Sequence, residues 1–223
     1  MCGRYNLITD AEAFIDAFQV VNQIQWRPRY NIAPSQEVPA IRQESGGRKA
    51  VLLRWGLIPH WARDVKFGYR TINARAETVA DKPAFRSAFR KRRCLIPATG
   101  FYEWQKLGKH KQPYNIRVKG TELFAFAGLW ELWQSPEGQQ VESCTIIVTE
   151  ANEALRAIHD RMPVILDPED YDAWLDPGLQ DAGCLHRLLK PYPSERMETW
   201  PVSSRIGSPS NDDPGLLEPL EKA

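Results

Sequence analysis

Residues 94–106 read Cys-Leu-Ile-Pro-Ala-Thr-Gly-Phe-Tyr-Glu-Trp-Gln-Lys, and this stretch decides how the chain folds. The apolar run at 94–97 is typical of a short buried strand, and Thr99-Gly100 predicts a turn into a second, aromatic-rich run. Within that second run, Glu103 is flanked by aromatic residues. Their proximity would desolvate the carboxyl group, raise its pKa and let it carry a proton near neutral pH. The alternative is an exposed glutamate on a strand whose aromatic rings point to the opposite face.

Strand patterns continue on both sides of this stretch, at residues 38–42, 50–55, 114–118, 124–132, 144–149 and 197–202. Gly46-Gly47 favours a hairpin turn between the first two, and prolines within residues 27–38 predict a loop. Helix patterns are fewer, after a Thr9/Glu12 capping box, from Pro83 behind an Asp81 cap, and at 152–158 and 178–189. We expect one α+β domain over residues 1–223, with an irregular tail after about residue 207.

Charge and composition exclude several classes of protein. The 223 residues are 43% apolar, enough for a substantial core, and 29 basic residues nearly balance 28 acidic ones. The formal charge of +1 gives no global sign of a nucleic-acid partner, so such evidence has to be local. No stretch has the length and apolarity of a signal peptide or a membrane span. We expect a soluble, cytoplasmic protein that binds no membrane, and a monomer is the working expectation.

The four cysteines are Cys2, Cys94, Cys144 and Cys184, and none forms a C-x-x-C pair. Their wide spacing predicts no metal site. Cys94 and Cys144 lie in apolar runs and are expected to be buried and inert. Cys2 is followed by Gly3-Arg4, and the arginine is expected to favour its thiolate form.

The start of the chain, Met1-Cys2-Gly3, offers a chemistry that no internal cysteine has. A small residue at position 2 lets methionine aminopeptidase remove Met1, so the mature chain is expected to begin with Cys2. Its α-amine would titrate near pH ~7.7–8.0 and be partly neutral at physiological pH. Such an amine can condense with an aldehyde to an imine, and the adjacent thiol can then close a thiazolidine ring. The alternative, favoured by position alone, is that Cys2 merely follows an ordinary initiator.

Two further patterns could form the wall of a site. If residues 71–78 are extended, Asn73, Arg75 and Glu77 share one face, opposite an apolar face. A half-exposed strand with a solvated face is the alternative. His159 follows a short helix pattern and could exchange protons at pH 7, although a histidine satisfied by a core hydrogen bond is commoner.

The most basic stretch contains Arg86, Arg90 and Arg93 at spacings i, i+4 and i+7 of the helix predicted from Pro83. A solvated helix face is one interpretation of this pattern. A phosphate-facing patch is the other.

Seven segments, taken in order, resemble the SRAP family of SOS response-associated peptidases, also called abasic site processing proteins. They are residues 1–5, 30–34, 55–59, 72–78, 94–98 with 100–104, 147–149 and 158–163, and the similarity extends to about residue 207. Each segment alone is weakly informative, but the ordered set with a cysteine at position 2 is specific. The resemblance implies an α+β fold in which a mostly antiparallel sheet curls into a barrel-like body, with flanking helices and a DNA-binding groove.

The same resemblance implies a function, the covalent capture of abasic sites in single-stranded DNA. The aldehyde of the ring-opened sugar would form a Schiff base with the Cys2 amine and then a thiazolidine with its thiol. The adduct would shield the lesion during the response to DNA damage, at the nucleoid. No cofactor or metal is implied.

Individual roles also follow from the resemblance. Cys2 would be the nucleophile, and Asn73, Glu103 and His159 would supply hydrogen bonds and proton transfer. The DNA contacts would fall to Arg4, Pro34, Arg75, Trp104, Thr149 and Arg161. The arginines would bind phosphates and Thr149 would hydrogen-bond beside them. The proline and tryptophan would stack on or wedge against bases, and base–aromatic stacking contributes about 1–3 kcal/mol.

Three other hypotheses stay open. Cys2 could be the nucleophile of a thiol peptidase or amidase, with Asn73 in the oxyanion hole. The chain could instead be a non-catalytic single-strand binding module in which Cys2 is incidental. A lyase side activity is also accessible, because a Schiff base at C1′ acidifies the C2′ proton and permits strand cleavage by β-elimination.

Overall fold

The computed structural model describes residues 2–220, which contain short helices and a larger number of strands. The strands are β1 (Tyr5–Leu7), β2 (Arg29–Ile32), β3 (Glu37–Glu44), β4 (Gly47–Trp55), β5 (Asn73–Arg75), β6 (Arg93–Ala98), β7 (Gly100–Leu107), β8 (His110–Val118), β9 (Phe124–Gln134), β10 (Gln140–Glu150), β11 (Arg161–Pro163), β12 (Ile165–Leu166) and β13 (Met197–Pro201). The α-helices are α1 (Ala11–Phe18), α2 (Arg86–Lys91), α3 (Glu153–Arg156), α4 (Tyr171–Leu175) and α5 (Ala182–His186). No helix within the described residues is long and apolar enough to cross a membrane.

Five strands, in the order β10-β4-β3-β6-β9, close into a barrel because β9 pairs back with β10. Pairing around this ring is antiparallel except between β4 and β10, which run parallel. The predicted hairpin at Gly46-Gly47 joins β3 to β4. On β9, Gly128 makes room for a side chain of the neighbouring strand, since a Cβ there would lie 2.8 Å from Ile96 Cδ1.

A second sheet, ordered β13-β8-β7-β1-β2, receives the chain directly from the barrel. The crossing occurs at Thr99, between β6 and β7, so residues 94–106 supply one strand to each sheet. Tyr5 of β1 lies opposite Phe101 of β7, which brings the start of the chain to the aromatic-rich run. The barrel, the second sheet and the helices form a single α+β domain, as the sequence predicts.

Aromatic rings fill the space between β1 and the barrel. Tyr5 is fully buried and meets Trp55 and Phe126 edge-on, with ring centroids 5.3 and 5.8 Å apart. Burying one such ring contributes on the order of 2 kcal/mol. Cys2 belongs to the same buried cluster, so the start of the chain is part of the core that the barrel and the second sheet share.

Two boundaries near the start of the chain differ from the prediction. The stretch predicted as a loop contains β2, because Pro28 and Pro34 flank this strand rather than interrupt it. Asp10, rather than Thr9, caps α1: its Oδ1 accepts the Ala13 N–H at 2.8 Å.

The predicted basic helix face is also wrong. The helix begins at Arg86 rather than near Pro83, and it ends before Arg93, which is the first residue of β6. Arg93 is buried and donates to backbone carbonyl oxygens instead of facing solvent. Further along, only residues 182–186 of the helix predicted at 178–189 are α-helical.

Candidate functional site

The first described residues run alongside β7. The Tyr102 N–H donates to the Arg4 carbonyl oxygen at 3.0 Å and extends the pairing of β1 with β7 beyond Tyr5. Glu103 lies near enough to Cys2 for its charge to act on the thiol, and both residues are buried, with 0% and 3% of their surface exposed. Met1, whose removal the sequence predicts, lies outside the described residues.

Burial governs the charge states of this pair. It raises the pKa of Glu103 to about 7, in the direction that the sequence predicts. Burial also raises the pKa of the Cys2 thiol far above its ordinary value, and the Glu103 carboxylate adds to that rise. The expectation that Arg4 favours a Cys2 thiolate is therefore wrong. Desolvation outweighs the arginine, whose guanidinium donates elsewhere.

Glu103 and its aromatic neighbours occupy both faces of β7. Phe101 packs in the same cluster as Cys2, whereas Tyr102 and Trp104 contact a separate cluster. Since side chains alternate along a strand, Glu103 shares the face of Phe101. Two of the three rings therefore point away from the carboxyl group, and burial against the barrel, rather than the flanking rings, desolvates it.

Asn73 is the first residue of β5, which pairs in parallel with β10 so that Asn73 lies opposite Ile146. Its Nδ2 donates to the Ile146 carbonyl oxygen at 3.4 Å, a long hydrogen bond. Its Oδ1 is buried and accepts no hydrogen bond from any residue in the range 2–220. Ile146 packs in the same apolar cluster as Cys2. The amide oxygen is thus available to a donor group that enters the site.

His159 lies between α3 and β11, and Gln105 ties this loop to β7 by donating from Nε2 to the Ala157 carbonyl oxygen at 3.0 Å. The Arg161 N–H donates to His159 Nδ1 at 3.0 Å. Asp160 Oδ1 lies 3.0 Å from the same nitrogen, but it can pair only with a protonated ring. Burial lowers the pKa of His159, so the ring is neutral at pH 7 and carries its proton on Nε2.

Three of the four predicted catalytic residues are linked by the structure, and Asn73 is placed only through its neighbour Ile146, which packs in the same cluster as Cys2. The charge of Glu103 acts on the Cys2 thiol, and Asp160 in the histidine loop helps to raise the Glu103 pKa. Asn73 is placed by β5, whose pairing with β10 sets it opposite Ile146. Within residues 2–220, no group of three or more histidine, cysteine or acidic side chains is arranged to hold a metal ion.

Arg75 on β5 and Arg161 on β11 lie on opposite sides of the last residues of β10, and the buried Thr149 belongs to the strand between them. Glu77 lies in a 3-10 turn, two residues after β5 ends at Arg75, so the predicted common face with Asn73 and Arg75 does not reach it. Instead, Arg161 Nη1 donates to Glu77 Oε1.

The remaining predicted DNA-binding residues lie on the second sheet or next to its strands. Arg4 donates from Nε to Asn31 Oδ1 at 3.1 Å and from Nη2 to the Gly207 carbonyl oxygen at 3.0 Å. It forms no ion pair with a carboxylate in the described part of the chain, so its charge is not neutralised there. Pro34 lies partly exposed in the turn between β2 and β3, and Trp104 lies partly exposed on the face of β7 opposite Glu103.

One feature of the surface is not predicted by the sequence analysis, an exposed group of aromatic and basic side chains between residues 61 and 70. Trp61 is 47% exposed and meets Phe67 edge-on with ring centroids 5.2 Å apart. These rings line an open cavity of about 520 Å³ together with Arg63, Lys66 and Arg70. The available signal was the interleaving of aromatic and basic residues between positions 61 and 70, a pattern typical of surfaces that bind single-stranded nucleic acid.

The fold and the site define a class of protein: a barrel domain with a buried cysteine near its start, a protonatable carboxyl group beside it and arginines around it. The chain belongs to the SRAP family, since the family model described as SOS response associated peptidase (SRAP) matches residues 1–209. The resemblance noted in the sequence is confirmed.

Several known proteins are similar to this chain. It is 47% identical over 222 residues to the abasic site processing protein YoqW of Bacillus subtilis, which covers 98% of this chain and 99% of that protein. It is 32% identical to the abasic site processing protein HMCES of Gallus gallus, over 88% of this chain and 68% of that one. A crystal structure of a protein from Bacteroides thetaiotaomicron matches with a TM-score of 0.90 and 29% identity, over 98% of this chain and all of that one.

Proposed function

We propose that this protein processes abasic sites by capturing them covalently, in single-stranded DNA, through Cys2. The observation that carries the proposal is the buried pair of Cys2 and Glu103, whose carboxyl group has a pKa of about 7. Membership of the SRAP family and the names of the relatives YoqW and HMCES support abasic DNA as the substrate. The protein would act as a monomer in the cytoplasm, at the nucleoid, without a cofactor.

The first step uses the α-amine that removal of Met1 would expose. The amine attacks the C1′ aldehyde of the ring-opened sugar to give a carbinolamine, and loss of one water then leaves a carbon–nitrogen double bond. An α-amine titrates near pH ~7.7–8.0, so part of it is neutral and nucleophilic at physiological pH. The available Oδ1 of Asn73 would accept an N–H of this amine and orient it.

Proton transfer falls to Glu103 and His159. A carboxyl group with a pKa of about 7 is present in both forms at neutral pH, so it can protonate the departing hydroxyl and later accept a proton. The neutral His159 would donate from Nε2 to the sugar oxygen that is released when the ring opens.

The second step closes the ring. The Cys2 sulfur attacks the imine carbon, its proton passes through Glu103 to the nitrogen, and the double bond becomes a single bond. Because burial keeps the thiol protonated, the amine reacts before the sulfur. The thiol is nevertheless efficient once the imine exists, since well-oriented intramolecular pairs reach effective concentrations of roughly 10⁵ M or more.

The DNA contacts would follow the cations around the site. Arg75, Arg161 and the unneutralised Arg4 would bind phosphates, and Thr149 would hydrogen-bond between the first two. Pro34 and Trp104 would contact bases beside the lesion. The aromatic and basic surface around Trp61 would extend this path along the strand. Such contacts read no base sequence, which suits a lesion that can arise anywhere.

Incubation with a single-stranded oligonucleotide carrying one abasic site tests the proposal. We expect a heat-stable adduct whose mass equals protein plus DNA minus one water. Cys2→Ser should abolish it, because serine offers no thiol to close a stable ring. Cys184→Ser is the matched control, since this partly exposed cysteine lies outside the site.

Other outcomes separate the alternatives. Turnover of peptides without any adduct would favour a thiol peptidase, and adduct-free binding that Cys2→Ala leaves unchanged would favour a non-catalytic module. Residual strand nicking by Cys2→Ser would reveal lyase chemistry through the bare amine. Intact mass is measured first, because an adduct formed by protein that retains Met1 would contradict the amine step.

A further inference from the structure

The residues after β13 lie against β2 and form what we call the tail loop, residues 203–213. Asn31 of β2 is fully buried beneath this loop. Its Nδ2 donates to the carbonyl oxygens of Ile206 at 3.3 Å, Ser208 at 2.9 Å and Asn211 at 2.9 Å. An amide NH₂ carries only two hydrogens, so three acceptors enclose it. One side chain therefore binds three residues of the tail loop.

The Asp212 side chain binds backbone N–H groups of the same strand, β2. Its Oδ1 accepts the N–H groups of Tyr30 at 2.6 Å and Asn31 at 3.0 Å. Its Oδ2 lies 3.5 Å from Arg29 Nε. Because β2 is an edge strand, these outward N–H groups have no neighbouring strand to bind, and the carboxylate takes that place.

Arg4 extends this network to the start of the chain. Its guanidinium donates both to Asn31 Oδ1, at 3.1 Å, and to the Gly207 carbonyl oxygen of the tail loop, at 3.0 Å. Its own carbonyl oxygen accepts the Tyr102 N–H at 3.0 Å. Arg4 is thus held through its side chain and its backbone at once. It lies two residues after Cys2, and its backbone partner Tyr102 is the residue before Glu103 on β7.

We propose that the tail loop positions Cys2 against Glu103, with Asn31 and Asp212 as positioning residues that act through Arg4. The inference rests on the proposed function, and it reaches beyond residue 209, where the family match ends. Fixing both ends of Arg4 fixes the direction in which the chain leaves β1 towards Cys2. A misplacement of about 1 Å at a reacting group can cost about 100-fold in rate, so modest loosening is measurable.

The test compares substitutions that differ by a few atoms. Asp212→Ala removes both acceptor oxygens, whereas Asp212→Asn keeps an oxygen that can accept the same N–H groups. Arg205→Ala is the control: its exposed ion pair with Asp213 also belongs to the tail loop, but its side chain contacts neither Asn31 nor Arg4. Adduct formation with the abasic oligonucleotide is measured across DNA concentrations, and thermal unfolding is measured in parallel.

We expect Asp212→Ala to lower the maximal rate of adduct formation about tenfold, a larger effect than the rise in the half-saturating DNA concentration that a displaced Arg4 would cause. Asp212→Asn and Arg205→Ala should stay close to the wild-type rate. An equal loss of rate in Asp212→Ala and Arg205→Ala, or a loss confined to DNA affinity, would contradict the proposal that the tail loop positions Cys2.

A second measurement does not depend on the reaction. Hydrogen exchange of the Arg4 Nε–H, followed by ¹⁵N NMR, should be at least about tenfold faster in Asp212→Ala than in the wild type, because the hydrogen bond to Asn31 opens more often. An unchanged exchange rate would contradict the positioning role of the tail loop, whether or not an adduct forms. A wild-type protein that forms no adduct while its Arg4 Nε–H remains protected would contradict the proposed function. It would still support the contact between Arg4 and the tail loop.

Discussion

Arg161 and Glu77 form an ion pair across the end of β10, with Arg161 Nη1 donating to Glu77 Oε1. Burial opposes ionisation of the Glu77 carboxyl group, but a backbone N–H and Arg161, helped by Arg75, outweigh it and lower the pKa. The carboxylate is therefore charged at neutral pH, and it competes with phosphate for the two arginines that we propose to bind DNA.

Glu77→Gln should strengthen binding to undamaged single-stranded DNA, because the amide cannot hold Arg161 by charge. The dependence of affinity on salt should become steeper by about 0.7 in log–log slope for each additional phosphate bound. Fluorescence anisotropy at several salt concentrations measures both quantities. Glu198→Gln makes the same charge change at an exposed position on β13 and should have little effect. Weaker binding by Glu77→Gln would show that Glu77 orients Arg161 rather than competing for it.

Glu103→Gln should change the pH dependence of stability. The folded-state pKa of about 7 lies above the ordinary value of 4.5, so the protonated carboxyl group favours the folded state. That contribution is present at low pH and is lost as pH rises from about 4.5 to about 7, by roughly 3 kcal/mol in total. The variant lacks this loss, so in urea unfolding its stability relative to the wild type should rise between about pH 4.5 and pH 7. A pH-independent difference would contradict the raised pKa.

Arg93→Lys should destabilise the fold without weakening DNA binding by the folded protein. The buried guanidinium of Arg93 donates to the carbonyl oxygens of Phe89, Arg90, Trp174, Asp176 and Leu179. A lysine can satisfy fewer of these acceptors, so we expect a loss of about 3 kcal/mol in the free energy of unfolding. Arg90→Lys, at an exposed position, is the control and should be neutral. Equal stability of both variants would contradict the structural role of Arg93.

Gly56→Ala should be destabilising by about 2 kcal/mol or more, because two backbones touch at this point. Gly56 has φ of +122°, and an added Cβ would lie 2.6 Å from the Gly68 carbonyl oxygen. That contact anchors the segment carrying Trp61 to the end of β4. Gly207→Ala, which meets nothing within 4 Å, is the control for thermal unfolding. Unchanged stability of Gly56→Ala would mean that the segment shifts to accommodate a methyl group.

Local pattern was sufficient for much of the fold. The hairpin of β3 and β4 and the strands on either side of Thr99 were predicted because alternation and glycine turns act over a few residues. β2 was missed because prolines flank it, and their signal masked a short strand that the tail loop completes. The helix predicted from Pro83 was also wrong at its end. Arg93 has helical spacing, but its guanidinium donates to carbonyl oxygens of residues distant in the sequence, and it begins β6 instead.

For the predicted site, too, some properties follow from the sequence and others only from the fold. The functional groups of Cys2, Glu103 and His159 can be read from the sequence, because each residue type has a fixed chemical range. Their assignment to imine chemistry, together with Asn73, comes from the family resemblance and stays a prediction. The thiolate expected for Cys2 was wrong, since burial depends on what the barrel places around a residue and not on its sequence neighbours. The aromatic surface at Trp61 was also missed in the sequence, because exposure of a tryptophan is a tertiary property.

The sequence by itself determined most of the longer strands, the turn at Thr99-Gly100 between the two sheets, and the functional groups that the side chains carry. Only the tertiary structure decided the protonation of those groups, the pairing of Arg161 with Glu77 and the enclosure of Asn31 by the tail loop. The physical reason is range: backbone preference and side-chain alternation are settled within a few residues, whereas desolvation and hydrogen bonding depend on atoms that folding brings together from distant parts of the chain.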